Sequence, residues 1–323
     1  MSAFREGGRF PDWSSAGVAV ALLTLPFVLP TVTLASELVV FAIAALSCAF
    51  LLGMVGLLSF GQGLFFGIGA YVSGILLEQY HWATLPAVLL AAVAACLTAG
   101  LLGLLAVRQR GVYFVMLTLA FAQMGYFAML ALKQHTGGEN GITGVPRAPL
   151  LSGLGPLAGP EAVYGLLAVV AFLAFLLVQR ISASPFGSVL RSIRENEGRA
   201  EALGYDVRAY KVAAFALAGL VAGLAGAMHT IFLGFVPPNV IELEMSERLI
   251  IMSIIGGAGA PAAAFFGAGF YVLMADWLST LWPRWLMLIG FMLAGIVLLM
   301  RDGLWGGAAA LSRRLRMGRQ TRG

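Results

Sequence analysis

Arg191-Ser192-Ile193-Arg194-Glu195-Asn196-Glu197-Gly198-Arg199-Ala200-Glu201-Ala202-Leu203-Gly204 lies at the centre of a stretch, residues 180–211, that carries six basic and four acidic residues between long apolar runs. A segment this hydrophilic must sit in water, because each charge at a bilayer centre costs about 3 kcal/mol or more. Its excess of arginine assigns that water to the cytoplasm, where positively charged loops accumulate. Within it, residues 188–197 predict a short helix, Gly198 and Gly204 permit turns, and Asp206 suits the N-cap of the next span. The result is a helix-turn unit projecting from the membrane. Such a unit lays one face in a partner's groove, with Ala200, Ala202 and Leu203 as contacts and Glu195, Arg199 and Glu201 setting the register. The plainer alternative is a solvated charged loop.

The apolar runs on either side are of a piece with the whole chain. Of its 323 residues 60% are hydrophobic and 11% are charged, against about 25% charged in soluble proteins, and mean hydropathy is +0.92. This composition predicts an all-α integral membrane protein with no sizeable soluble domain, residues 1–323 forming one transmembrane unit with a cytoplasmic loop at 181–209 and a cytoplasmic tail at 301–323. The net charge of +5 is explained by arginines at the ends of apolar runs, so nucleic acid is not an expected partner. Cys48 and Cys96 both fall inside apolar runs, which supports neither a disulfide framework nor a thiolate metal site. Arg5 and Arg9 precede a first apolar run whose length exceeds that of a signal-peptide core, which reads as a span.

Spans are expected at about residues 17–35, 37–58, 62–77, 86–107, 112–132, 161–180 and 210–235. Between 248 and 300 the run is interrupted at Gly256-Gly257-Ala258-Gly259-Ala260-Pro261 and at Trp282-Pro283-Arg284. Arg108, Arg110, the charged stretch and a tail holding Arg301, Arg313, Arg314, Arg316, Arg319 and Arg322 mark one side. Loop 133–160 and the turn near Glu242, Glu244 and Glu247 mark the other, so residue 240 is expected outside. An odd number of crossings must then follow residue 248, and three suit the two interruptions. The reading is about ten membrane segments with both termini cytoplasmic, the eighth, about 248–259, being short, broken or re-entrant and shielded by protein. Residues 65–72 and 265–272 match at six of eight positions; whether this is a repeat or chance, glycine at this spacing predicts close helix packing.

Sites of chemistry are sparse. There are no paired carboxylates, nucleophile elbow or phosphate loop, and His81, His135 and His229 are scattered, so no catalytic or metal-ligating residue is assigned and no cofactor is expected on this chain. Gln62 and Gln123 are polar groups within spans; they either line a path or tie helices together. Glu37, Glu78 and Asp276 fall toward span ends and do not suggest a proton relay. The loop from Thr136 to Pro146 is glycine-rich and carries Glu139 and Asn140, which suits an exposed contact at the outer face or an ordinary ordered turn.

Several motifs together carry a resemblance. They are Leu58-Ser59-Phe60-Gly61-Gln62-Gly63 through Gly69-Ala70-Tyr71, then Arg110-Gly111-Val112-Tyr113-Phe114 with Thr118-Leu119-Ala120-Phe121-Ala122-Gln123. They continue with Thr136-Gly137-Gly138-Glu139-Asn140-Gly141-Ile142-Thr143-Gly144, Pro185-Phe186-Gly187 to Arg194-Glu195-Asn196-Glu197, Ala200-Glu201-Ala202-Leu203-Gly204, and Ile255-Gly256-Gly257. From about residue 37 to 303 the chain resembles the branched-chain amino acid ABC transporter permeases of the LivM type, in the LivH/LivM permease family. The resemblance implies a non-enzymatic, multi-pass subunit of a bacterial inner-membrane importer. Its implied partners are a second permease subunit of the LivH type, two cytoplasmic ATP-binding subunits and a periplasmic solute-binding protein.

On that resemblance Glu195, Asn196, Arg199, Glu201, Ala202 and Gly204 would couple to the ATPase, although Leu203 stands where a second alanine is usual. Gln62, Tyr113, Thr118 and Gln123 would line the translocation path, and Gly138, Glu139, Asn140 and Thr143 would form the periplasmic loop. The implied solute is a branched-chain or related amino acid, with urea, short amides and aromatic acids as alternatives. A stand-alone secondary transporter or channel would need an ionisable group near the midplane, and none stands out. A scaffold or membrane enzyme would need a soluble domain or a catalytic cluster.

Overall fold

In a computed structural model, residues 12–151, 159–257, 260–281 and 284–299, with 303, 304 and 306, are described. Arg5, Arg9, the arginines of the tail, and Ala258, Gly259, Trp282 and Pro283 of the two interruptions lie outside the described residues. The helices in chain order are α1 (Asp12–Val28), α2 (Val32–Phe50), α3 (Gln62–Glu78), α4 (Thr84–Ala106), α5 (Val112–Ala131), α6 (Lys133–Thr136), α7 (Pro160–Ala183) and α8 (Pro185–Glu195). They continue as α9 (Glu197–Ala202), α10 (Val207–Leu233), α11 (Leu243–Gly256), α12 (Pro261–Leu281) and α13 (Trp285–Leu299). A π-helical turn (Leu51–Val55) extends α2, and 3-10 turns cover Gly138–Asn140 and Pro238–Ile241. Among the described residues six helices are long and apolar enough to cross a membrane: α2 with its π-helical turn, α4, α5, α7, α10 and α12. Helices α1, α3 and α13 are shorter apolar helices.

Local chemistry accounts for most of the boundaries. The first expected span, 17–35, is divided because Pro30 cannot continue a helix; α1 stops at Val28, and Thr31 caps α2 by accepting from the Leu34 amide at 3.2 Å. Gly56 takes a left-handed conformation (φ 77°) and ends the π-helical turn, as Gly234 (φ 70°) ends α10. Helix α2 is apolar all round, and every residue from Leu38 to Leu51 is buried, which makes it the axis of the bundle. Around it pack α3, α7, α10, α11 and α12. By contrast α4 turns Leu89, Leu97 and Leu101 outward, the surface expected against lipid.

Helix contacts rest on small residues, since between helices in lipid there is little hydrophobic drive and packing itself must hold them. Gly69 of α3 meets the backbone of Gly223, and Gly226 of α10 meets the carbonyl of Phe66. On its other flank α10 sets Gly219 and Gly223 against Ala99 and Ala95 of α4. The two similar octapeptides both lie on such faces: Gly67 packs on Ile241, and Gly267 packs on Met252 and Gly256. Their surroundings differ, because Phe66 is fully buried while Phe266 is exposed.

One expectation is refined. The segment near residue 240 was expected as a turn at the outer face, and Val240 and Ile241 are buried in the bundle. After α10 the chain turns back into the bundle along α3, with Val236 beside Gly74, Ile241 beside Gly67 and Ser246 beside Gly63. The groove left by these side-chain-free positions is what admits it. Helix α11 therefore starts inside the protein, and Glu244, Glu247 and Arg248 belong to it.

A methyl group at position 226 has no room beside Phe66, whereas at position 165 of α7 nothing lies within 4 Å. Gly226→Ala should therefore cost about 1–3 kcal/mol or more through overpacking, while Gly165→Ala should be neutral or slightly stabilising. Thermal unfolding of the two variants in detergent checks this; equal melting temperatures would contradict the packing described.

Candidate functional site

The charged stretch folds into two short helices and a turn. Ser184 caps α8, accepting from Gly187 N at 3.3 Å, and Asn196 both ends α8 and caps α9, accepting from Arg199 N at 3.0 Å. The break thus falls at Asn196, and Gly198, expected at a turn, lies inside α9. Gly204 turns the chain with φ 87°, and Asp206 caps α10 through the Ala209 amide at 3.1 Å. Ile193, Ala200 and Val207 make a small core under Val189 and Tyr210. Ala200, expected as a partner contact, is spent there. The exposed tip is formed by Arg199, Ala202, Leu203 and Gly204.

Charges fasten this hairpin to the bundle. Lys211 of α10 is only 5% exposed, and its Nζ lies 2.7 Å from Glu197 Oε1. Arg110, in the loop between α4 and α5, reaches the same Glu197 oxygen at 3.3 Å and Glu201 at 3.5 Å. Arg191 donates to the Ser182 carbonyl at 2.7 Å, Arg208 to the Leu104 carbonyl at 3.0 Å, and Arg194 to the Gly53 carbonyl in the π-helical turn. Arg110 and the hairpin therefore share one end of the bundle, as the arginine pattern led us to expect.

The glycine-rich loop occupies the other end. Helix α10 spans 27 residues, about 40 Å at 1.5 Å per residue; it leaves the hairpin at Val207 and finishes beside this loop. There Ile142 and Val236 exchange backbone hydrogen bonds of 3.2 and 2.9 Å, and Val145 donates to Gly234 at 3.1 Å. Gly137, Gly138, Gly141 and Gly144 all have positive φ. Glu139, Asn140 and Thr143 are exposed, whereas Gly138 is buried and serves the fold of the loop.

Between the two ends lies a buried polar cluster where two helices begin inside the protein. Ser246 Oγ accepts from Gly63 N at 2.9 Å and donates to Phe60 O at 2.5 Å, tying α11 to the segment that leads into α3. Thr118 of α5 accepts from Phe60 N at 3.2 Å. Gln62 is fully buried; its Oε1 accepts from Ser47 Oγ at 3.2 Å, while its Nε2 and the Ser253 Oγ have no hydrogen-bond partner. Both residues line a cavity of about 10 Å³ with Cys48, Leu51, Leu57 and Ser59, room for about one water molecule.

Of the four path residues, Gln62 and Thr118 converge on residues 57–61. Tyr113, 72% exposed, and Gln123, half-buried, lie elsewhere on α5. The sequence assigned no role to Glu197, Lys211, Arg194 or Ser246. Lys211 was legible only as the end of a charged run, and serine in a span carries no sign of what it will meet.

The family described as "Branched-chain amino acid transport system / permease component" matches residues 31–299. The high-affinity branched-chain amino acid transport system permease protein LivM of Escherichia coli K12 is 29% identical over 280 residues, covering 77% of this chain and 65% of LivM. LivM of Salmonella typhimurium LT2 is 28% identical over 271 residues, covering 76% and 63%. The autoinducer 2 import system permease protein LsrC of Escherichia coli O9:H4 is 30% identical over 250 residues, covering 72% and 66%. The chain thus spans slightly under two thirds of the length of the two LivM proteins. No solved structure matches it. With the match running over residues 31–299, the chain belongs to the family of branched-chain amino acid transport system permease components.

Proposed function

We propose that this chain is the membrane-spanning permease subunit of an ATP-driven importer that moves a branched-chain or related amino acid delivered by a periplasmic binding protein. The observation that carries this is the hairpin of α8 and α9, which sets an exposed tip at one end of the bundle and is bound by charge to the membrane helices behind it. In this reading separate cytoplasmic ATPases bind the tip, with exposed Leu203 as the apolar contact and Glu195, Arg199, Glu201 and Gly204 around it. Asn196 shapes the hairpin through its cap, and Ala202 lies at the tip. The chain itself hydrolyses nothing and binds no cofactor.

Ten membrane segments follow, α1 to α5, α7 and α10 to α13, with both termini and the hairpin cytoplasmic in a bacterial inner membrane. The short α11 starts against α3, where Ser246 packs on Gly63. Glu139, Asn140 and Thr143, exposed at the far end, are the surface for the solute-binding protein. The exposed face of α5 carries Tyr113, Met116, Met124 and Phe127, where α4 shows leucines. Adaptable methionines and aromatics suit a surface that must repack, and we assign this face to the second permease chain, of the LivH type, with the solute path between them and Gln62 beside its inner part.

Extraction of the tagged chain from membranes should bring an ATPase with it, and leucine uptake should follow ATP and not an ion gradient. Replacing Glu201 and Gly204 together by alanine should leave ATP hydrolysis running while uptake falls by roughly tenfold, within the usual range of coupling between sites. Wild-type uptake per ATP in that variant would contradict the coupling role. Gln62→Leu should lower leucine uptake without lowering membrane abundance; unchanged uptake would remove Gln62 from the path.

A further inference from the structure

The charge network behind the hairpin is not needed to hold a solvent-facing loop in shape, since α8 and α9 already have their caps and their own small core. It joins the hairpin to two different membrane helices through one carboxylate. Lys211 lies in the second turn of α10 and is almost wholly buried, and Glu197 Oε1 meets its ammonium at 2.7 Å. The same oxygen takes Arg110 at 3.3 Å, and Arg110 also reaches Glu201 at 3.5 Å. Arg110 is followed by Gly111, which has φ 57° and ψ −129° and caps α5. This conformation is open to glycine and strained for other residues, and no atom lies within 4 Å of where a side chain would start. Gly111 thus gives the foot of α5 a backbone turn that glycine alone takes without strain.

We propose that Glu197 is a positioning residue that carries movement of the hairpin to two membrane helices at once, through Lys211 to α10 and through Arg110 and Gly111 to α5. The inference rests on the transport reading above and goes beyond it by naming the links and the helices that receive the push. Helix α10 runs from the hairpin to the pairing of Ile142 with Val236, so its displacement reaches both ends of the bundle. Helix α5 carries Thr118, which closes on Phe60 beside the buried polar cluster, so its displacement acts on the loop into α3. Glu197 itself is turned toward the bundle and leaves the tip free for the motor. A carboxylate is required because a neutral group leaves the buried Lys211 ammonium without its counter-charge.

The test uses the complete importer in proteoliposomes with radiolabelled leucine, measuring ATP hydrolysis and uptake on the same preparation. Glu197→Gln should bind the ATPase and hydrolyse ATP while uptake per ATP falls by roughly tenfold, and Glu197→Asp should restore part of it. Because a lone buried ammonium can prevent assembly, the double variant Glu197→Gln with Lys211→Met serves as a second arm. It removes both charges, should reach wild-type abundance, and should remain uncoupled. Wild-type uptake per ATP in an abundant double variant would overturn the proposal. So would loss of ATPase binding by abundant Glu197→Gln, which would place Glu197 on the motor surface. Wild-type importer that ignores ATP would overturn the transport reading itself, and this inference with it.

Discussion

Hydrocarbon offers no hydrogen bonds, so a helix broken at membrane depth must have its loose backbone groups met by protein. This constraint organises the molecule. Its chain leaves helix at residues 56–61, beginning where Gly56 lies against Arg194 of the hairpin, and again at residues 234–242, before α11, and the fold brings the two segments together. Ser246 joins them by accepting from Gly63 and donating to Phe60, and Thr118 satisfies the Phe60 amide from a third helix. The glycines of α3 leave the space into which the second broken segment fits, and α2 stands buried behind it. A bundle of unbroken helices would need none of these devices.

The same economy distinguishes the two charge contacts of Glu197. A buried ion pair that loses one partner costs about 3–5 kcal/mol, because the remaining charge stays in a medium that solvates it poorly. Lys211 is in that position. An exposed pair contributes only about 0–1 kcal/mol, and the Arg110 side chain is 68% exposed. Losing Glu197 would therefore leave a costly unpaired charge on α10 and cost little at Arg110. In the proposed coupling, α10 is the helix tied to the hairpin through a buried charge and α5 the one tied through an exposed charge.

The helices were legible in the sequence wherever periodicity and punctuation are local. Asp206 and the arginine run marked the hairpin, although its first helix starts at Pro185 and not at Ser188, and apolar runs marked the long spans between residues 37 and 235. The exceptions have one physical cause, which is that the deciding partner is far away along the chain. Residues 238–246 looked like an outer turn because Glu242, Glu244 and Glu247 are acidic; only the glycine groove of α3, more than 160 residues earlier in the sequence, explains why they go inward. Ser246 and Gly63 are 183 residues apart, and nothing in either residue type names the other. Glu197 resembled one more charge on a wet surface, because its buried partner Lys211 lies beyond the i,i+4 spacing at which a sequence displays a helix ion pair. Gln62 stood out as a polar residue in a span, and the structure adds that half of its amide is still unpaired.

The central claim is that the hairpin is a lever worked by a separate motor and that the helices behind it move only when it moves. The most direct measurement is leucine accumulation by proteoliposomes that contain this chain alone, with its second permease, and with the ATPases and binding protein added. Accumulation against a gradient only in the complete, ATP-supplied assembly is the predicted result. Uphill accumulation by the chain alone under an ion gradient would contradict the account.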